Sequence, residues 1–214
     1  MATPTDPVLT LSQWLSPAYP VGAFAYSHGL ESAVADGRVH DGAALEDWLD
    51  TVLARGAGRT DAILIGLAHA KPEDAARLDA VARALAGSRE RLLETDAQGQ
   101  AFGAVTGAIW GGDLAGLCYP VALGAAAGRE GLPLRLTQAL ALQAVVGNLV
   151  AAAQRLMPLG QTEAQWIVAR LTTRIGPLLD AIAGAEEDDL AGSALLPEIA
   201  AMRHETLSPR IFRT

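Results

Sequence analysis

Residues 16–31 read Ser-Pro-Ala-Tyr-Pro-Val-Gly-Ala-Phe-Ala-Tyr-Ser-His-Gly-Leu-Glu. Two prolines and a glycine fall between Ser16 and Gly22, and a helix cannot run through them because proline fixes φ and lacks the amide donor. The stretch is nevertheless more apolar than a solvated linker would be. Its large apolar side chains are Tyr19, Val21, Phe24 and Tyr26. We predict a stiff turn, here called the elbow (residues 16–22), that opens a helix over residues 23–35; it is either a buried corner or a surface shaped for a partner.

The composition favours a single helical domain. With 214 residues the chain is short enough for one hydrophobic core. Half of the residues are hydrophobic but only 5% are aromatic, and much of the apolar content is alanine and leucine. Such a composition suits closely packed helices better than sheets, which favour β-branched and aromatic side chains.

The charge and the cysteine content exclude several classes of partner and site. A net charge of -8 makes nucleic acid and anionic membranes poor general partners, because an acidic surface repels phosphate groups. The single cysteine, Cys118, excludes an internal disulfide and a cysteine-based metal cluster. The opening residues, Met-Ala-Thr-Pro-Thr-Asp-Pro, contain no basic or long apolar targeting segment, which predicts a cytoplasmic protein.

Apolar periodicity and helix-start signals predict an all-α, single-domain bundle of roughly nine or ten helices without strands. The run from Leu134 to Met157 is apolar almost all round, so we expect it to be the buried central helix. We place the helical domain at residues 1–195. Residues 196–214 are locally basic in an acidic protein, and we interpret them as a partner-binding tail.

A second apolar stretch resembles a membrane span only in its length. Residues 101–128 are nearly free of charge. The pair Gly111-Gly112, Asp113 and Pro120 divide this stretch into pieces that are too short to cross a bilayer. We therefore predict soluble core helices here and no membrane partner.

A tight turn follows the central helix at Pro158-Leu-Gly-Gln161. Pro158 ends the helix, and Gly160 is predicted to take a backbone conformation closed to other residues. Thr162 and Gln165 have the spacing of a capping box for the next helix. The turn is either a structural corner or a partner contact, and we favour the corner because it joins the two most apolar helices.

His28 and Glu31 are the best candidates for chemistry. They are three apart on a predicted helix, so they would share a face and could hold a metal or act as base and acid. Two ligands do not make a metal site, and the other three histidines have no matching partner nearby in the sequence. The chain lacks a Gly-x-Ser-x-Gly nucleophile motif and a Walker nucleotide-binding loop. These features favour a binding module; the alternative is a small all-α enzyme using His28, Glu31 and Tyr26.

Three motifs, at residues 16–31, 155–162 and 202–214, together resemble the urease accessory protein UreF family. The first is similar to the family's Ser-Pro-x-x-Pro-x-Gly-x-Phe-x-x-Ser-x-Gly-Leu-Glu, and the second to its Arg-x-x-Pro-Leu-Gly-Gln-Thr turn. The third is similar to the closing His-Glu-x-x-x-x-Arg-Leu-Phe-x-Ser. Here Ser208-Pro209 stands where the family usually has Tyr-Ser, and Thr214 replaces the final serine, so the conformation of the end should differ in detail.

The resemblance implies an all-helical, usually dimeric protein that is not an enzyme. Members of the family join the accessory protein UreD (called UreH in some systems) to the GTPase UreG. The complex docks on apo-urease and couples GTP hydrolysis to nickel delivery. By this resemblance the chain binds no cofactor tightly, since its partners handle nickel and GTP. Its few histidines and single cysteine, the side chains that nickel prefers, fit a scaffold better than a nickel carrier.

The residues that the resemblance assigns to partner binding lie in the three motifs. They are Ser16, Pro17, Tyr19, Pro20, Gly22, Phe24, Ser27, His28, Gly29, Glu31, Pro158, Gly160, Gln161, His204, Glu205, Arg210, Phe212 and Arg213. We hypothesise that Arg210 and Phe212 dock on the elbow when UreD binds, and that the composite surface recruits the GTPase. We expect the tail to add little to the stability of the isolated domain, because few of its residues are apolar.

Overall fold

The computed structural model describes residues 6–213 and contains, within them, ten α-helices and no strand. The α-helices are α1 (Pro7–Trp14), α2 (Leu30–Ala35), α3 (Gly42–Arg55), α4 (Ala57–Ala70), α5 (Ala75–Ala84), α6 (Arg89–Trp110), α7 (Tyr119–Arg129), α8 (Leu134–Leu156), α9 (Gln161–Ala181) and α10 (Leu195–His204). Single turns of 3-10 helix lie at Ala23–Ala25, Pro72–Asp74 and Glu187–Asp189. The all-α prediction is confirmed.

Three of the helices begin at capping side chains. Asp6 caps α1, Asp41 caps α3 and Ser88 caps α6, each accepting a hydrogen bond of 2.8–3.0 Å from a backbone amide two or three residues further on. A side-chain oxygen in this place satisfies one of the amides that the first helical turn leaves unpaired. The starts of these helices therefore follow from local sequence.

The helix predicted over residues 23–35 is wrong. The chain makes one 3-10 turn over Ala23–Ala25, and α2 begins only at Leu30. Between them His28 and Gly29 have φ angles of 52° and 75°, a left-handed conformation that interrupts helical hydrogen bonding. Gly29 is also packed against α10, since a Cβ atom there would lie 2.5 Å from the amide nitrogen of Ala201. The break therefore follows from tertiary contact as well as from the glycine itself.

The turn between α8 and α9 also differs from its prediction. α8 ends before Pro158 as expected, but Gly160 has φ -69° and ψ 151°, which any residue can adopt. α9 begins at Gln161 without a side-chain cap, so Thr162 lies inside the first turn and the predicted capping box is wrong. The buried side chain of Leu159, rather than a special glycine conformation, packs this corner into the core.

α8 and α7 form the centre of the fold. α8 packs mainly against α9 and also contacts α1, α2, α3, α4 and α7, which agrees with its predicted central place. α7 is the most completely buried helix, with eight of its eleven residues buried. It lies so close to α4 that a Cβ atom on Gly124 would stand 2.5 Å from the carbonyl oxygen of Ile65. Small residues on α7 therefore permit a close contact between two helix backbones.

Within residues 6–213, α8 is the one helix long and apolar enough to cross a membrane. Half of its most apolar window, 50%, is buried inside the protein, as in the core helix of a soluble fold. Residues 101–128 instead divide between the end of α6 and α7, with a non-helical connection between Trp110 and Tyr119. The prediction that this stretch is interrupted is confirmed.

The C-terminal residues of the described chain return to the segment around α2. α10 packs against both α2 and α6, and the residues that follow it return to the segment 25–31. On the other side of that segment, α1 holds Trp14 edge-on against Phe102 of α6, with ring centroids 5.5 Å apart. The elbow connects α1 to this region, so the first and third motifs become neighbours in space.

Candidate partner-binding site

The elbow is anchored by Tyr19 and Val21, while its two prolines face outward. Tyr19 is buried, and its hydroxyl lies 2.8 Å from the Oγ1 atom of Thr106 on α6. Burial raises the pKa of Tyr19, more than the hydrogen bond to Thr106 lowers it. Pro17 and Pro20 are exposed, and Phe24 just beyond the elbow is 73% exposed. The elbow is thus both a packed corner and a rigid outer surface.

His28 belongs to a buried network with α6. Its Nε2 atom lies 2.7 Å from Oε1 of Glu94, which also accepts a 2.8 Å hydrogen bond from Gln98. Arg91 lies 3.6 Å from the other oxygen of Glu94 and pairs with Asp61 at 2.6 Å. Burial by itself raises the pKa of Glu94, but His28 and Arg91 outweigh it, so the pKa lies below its ordinary value.

Glu31 points into a different cluster, built around His204. The His204 ring is fully buried, with Nδ1 2.7 Å from Oε2 of Glu90 and Nε2 3.0 Å from Oε2 of Glu31. Arg210 donates to the second oxygen of Glu90 at 2.6 Å. We call these four side chains, Glu31, Glu90, His204 and Arg210, the tail clamp.

The tail clamp holds the backbone of the chain end. The amides of Ile211 and Phe212 donate to the two carboxylate oxygens of Glu31 at 2.6 and 2.9 Å. Burial of Glu31 would raise its pKa, but the hydrogen bonds from His204 and from these amides outweigh it and hold the pKa below its ordinary value. Glu31 is therefore a structural carboxylate rather than a free acid or base.

The residues after the clamp lie against the 3-10 turn that follows the elbow. Phe212 is buried, and the guanidinium carbon of Arg155 lies 4.3 Å from the centre of its ring. Arg155 also donates to the carbonyl oxygen of Phe24 at 3.2 Å, and the amide of Arg213 donates to that of Ala25 at 2.9 Å. We call the exposed side chains of this region, Phe24, Arg210, Ile211 and Arg213, the elbow–tail surface.

Two expectations about the tail are wrong. It docks on residues 25–31 and on Glu90 rather than on the Ser16–Gly22 elbow, and it does so within the single chain. Because Phe212 is buried in the main hydrophobic core, the tail also contributes to the stability of the domain. The low apolar content of the tail does not predict this contribution, because it comes from the ring of Phe212 and from the bonds of the tail to Glu31 and Glu90.

The other predicted site residues fall in three places. Ser27 is buried, with its Oγ atom 3.4 Å from the amide of Glu31 at the start of α2, and Ser16 and Gly22 are half-buried in the elbow. Glu205 accepts a 3.0 Å hydrogen bond from the amide of Arg89 at the start of α6. The exposed members of the turn before α9 are Pro158, Gly160 and Gln161.

Sequence reasoning missed the partners supplied by α6 and α8. Glu90, Arg91 and Glu94 lie in the first turns of α6, where acidic and basic residues usually form a solvated face. Arg155 lies in the second motif, but nothing in its position indicates a contact with Phe212. No local signal identifies Glu90, Glu94 or Arg155, because each acts on a group more than sixty positions away. Arg91 likewise pairs with Asp61, which lies 30 positions away on another helix.

The two candidates for chemistry, His28 and Glu31, do not share a partner. Across residues 6–213, no group of three or more His, Cys, Asp or Glu side chains is arranged to hold a metal ion. His28 and Glu31 pair with different partners, and Tyr26 is buried. Burial and the nearby Asp79 raise the pKa of Cys118 to about 12, which makes its thiol a poor nucleophile.

Comparison with known proteins agrees with the three motifs. The family model described as UreF matches residues 39–172, more than half of the chain. The chain belongs to the UreF family of urease accessory proteins. The matched segment covers α3 to the first half of α9 and excludes both ends, so the assignment does not rest on the first or third motif.

Full-length relatives support the same family. The chain is 50% identical to the urease accessory protein UreF of Roseobacter denitrificans, over 98% of this chain and 95% of that protein. It is 49% identical to UreF of Ruegeria pomeroyi over the whole of both chains. It is 53% identical to a UreF of Cereibacter sphaeroides over 97% of this chain and 98% of that protein. Membership of the UreF family makes it an accessory protein and not an enzyme, so the small-enzyme alternative is set aside.

Proposed function

We propose that this chain is the adaptor of a urease-maturation complex. In this role it joins UreD (UreH) to the GTPase UreG and docks the assembly on apo-urease, where GTP hydrolysis drives nickel insertion. Family membership supports the coarse role in urease maturation. The elbow–tail surface is the observation that carries the finer role.

The elbow–tail surface has the chemistry of a protein interface. Phe24 is 73% exposed and Ile211 is 59% exposed, and the backbone under both is fixed by hydrogen bonds. Large apolar side chains beside arginines are typical of the energetically dominant centre of an interface. A rigid backbone lowers the entropy that is lost on binding.

α10 offers a second apolar strip on the same part of the chain. Leu195, Ile199 and Met202 follow helical spacing, and they are 68%, 42% and 50% exposed. This strip and the elbow–tail surface together support residues 196–214 as the partner-binding segment. We assign UreD to this segment, with UreG recruited to the composite surface that results.

The donor atoms available favour an adaptor over a carrier. The chain has four histidines and one cysteine, and two of the histidines are paired with buried carboxylates. In this proposal nickel and GTP are handled by the partners, and no cofactor is bound tightly by this chain. We further propose a cytoplasmic homodimer as the working form.

Two single substitutions and the double variant that combines them test the proposed surface. Phe24→Ala and Ile211→Ala remove exposed side chains, so the fold should be kept, while affinity for purified UreD or for UreG in the UreD complex should fall by about tenfold or more. Trp166→Ala is the matched control, because Trp166 is 62% exposed on α9. Affinities are measured by calorimetry and urease activation by reconstitution with nickel and GTP. Unchanged binding and activation in the Phe24/Ile211 double variant would refute this surface.

A further inference from the structure

The His204 ring is placed between two carboxylates. Its Nδ1 faces Glu90 at 2.7 Å and its Nε2 faces Glu31 at 3.0 Å, and the ring is fully buried. An ionised carboxylate can only accept hydrogen bonds, so a ring that bonds to two of them must donate from both nitrogens. A neutral imidazole carries only one N–H. With both carboxylates ionised, this geometry calls for the imidazolium form.

The charges of the tail clamp balance only in that form. Glu31 and Glu90 supply two negative charges, and His204 and Arg210 supply two positive charges. Burying an unpaired charge is costly, whereas a paired and fully hydrogen-bonded cluster is tolerated. A neutral His204 would leave one carboxylate oxygen facing a ring lone pair and one buried negative charge without its cation.

The same two carboxylates hold the end of the chain. Glu31 receives the amides of Ile211 and Phe212, and Glu90 receives Arg210. We propose that His204, donating from both ring nitrogens, is the positioning residue that orients both carboxylates toward residues 207–213. Its consequence for partner binding rests on the proposed function, because release of these residues would dismantle the elbow–tail surface.

Three charged groups surround the ring. These are Glu31 from α2 and Glu90 from α6, with Arg210 of the tail on the far side of Glu90. The pKa of Glu31 is lowered, so mild acid leaves its charge in place.

The protonation state is tested directly on the intact protein by nitrogen-15 NMR of the histidine rings. At neutral pH, His204 should show two protonated ring nitrogens, with N–H protons protected from exchange by burial. The exposed His40, which lies beside Asp41, is the internal reference for a ring in contact with solvent. A neutral His204 tautomer at neutral pH would overturn the inference.

The positioning role is tested by His204→Gln, with His40→Gln as the matched control. Glutamine has the approximate length but donates from a single nitrogen, so it cannot donate to both carboxylates. Hydrogen-exchange protection factors of the Ile211, Phe212 and Arg213 amides should fall by about tenfold or more, while those of α8 stay unchanged. Protection of the three tail amides equal to that of the parent protein would overturn the inference.

The ring spectrum of the parent protein covers the case in which His204→Gln does not fold, because it needs no substitution. UreD affinity is measured separately: a released tail with unchanged UreD binding refutes the elbow–tail surface but supports the role of His204.

Discussion

At the scale of single residues, backbone conformation separates two glycines that look equivalent in the sequence. Both Gly29 and Gly160 lie in motifs shared with the UreF family, just before a helix. Gly29 has φ 75° and lies directly under Ala201 of α10, whereas Gly160 has φ -69° and has open space where a side chain would be. The structure therefore requires a glycine at position 29 but not at position 160.

We therefore expect Gly29→Ala to destabilise the protein and Gly160→Ala to leave it nearly unchanged. The left-handed backbone and the contact with Ala201 should lower the free energy of unfolding by at least about 2 kcal/mol for Gly29→Ala. For a chain of this size that is a decrease of about 4–8 °C in Tm. Thermal unfolding followed by circular dichroism measures both variants. If the Gly29→Ala and Gly160→Ala variants melted at the same temperature, α10 would not pack closely on Gly29.

At the scale of helices, glycines also distinguish a tight contact from an open one. Gly124 on α7 faces the backbone of α4, with 2.5 Å between its would-be Cβ atom and the Ile65 carbonyl oxygen. Gly147 on α8 has no atom within 4 Å of that position. Glycine at the first place permits two helices to approach, while at the second it only lowers helix propensity.

Alanine substitution should consequently change the free energy of unfolding in opposite directions at these two sites. Gly124→Ala forces α4 and α7 apart and should cost about 1–3 kcal/mol of unfolding free energy. Gly147→Ala should instead raise it by about 0.5–1 kcal/mol, through better helix propensity. Urea denaturation gives both values with the parent chain as reference. A destabilised Gly147→Ala would mean that this side of α8 is occupied.

At the scale of the whole molecule, the two ends of the chain close the fold together. Phe212 is 3% exposed and belongs to the main core, although it is the third residue from the C-terminus. Glu31 accepts a hydrogen bond from the amide of Phe212, and it also bonds to His204, which is 173 positions away in the sequence. The chain end is thus packed into the domain, whereas the sequence predicted a tail that adds little to its stability.

Two Phe→Ala substitutions test this closure. Phe212→Ala should lower the free energy of unfolding by about 3 kcal/mol or more, because a buried aromatic ring leaves a cavity. Phe24→Ala, at 73% exposure, should change it by less than about 0.5 kcal/mol. Chemical denaturation separates the two. If Phe212→Ala were as stable as the parent, the tail would not be docked in the isolated chain.

Local patterns in the sequence are enough to predict the fold class, the extent of α8 and the family. Capping side chains such as Asp41 and Ser88 act within one helical turn, and apolar periodicity acts along one helix, so both are visible locally. The break at His28 was less visible, because the helix pattern around it continues and only the left-handed backbone interrupts it.

Which charged side chains of the site pair with each other depends on the tertiary structure. His28 and Glu31 are three positions apart, yet one pairs with Glu94 and the other with His204. His204 in turn meets Glu90, 114 positions away. Which buried charges meet depends on how α2, α6 and α10 pack, and that packing minimises the free energy of the whole core. A buried ionic cluster is stable only where every member finds its partner, so such pairs follow from the assembled fold and not from local spacing.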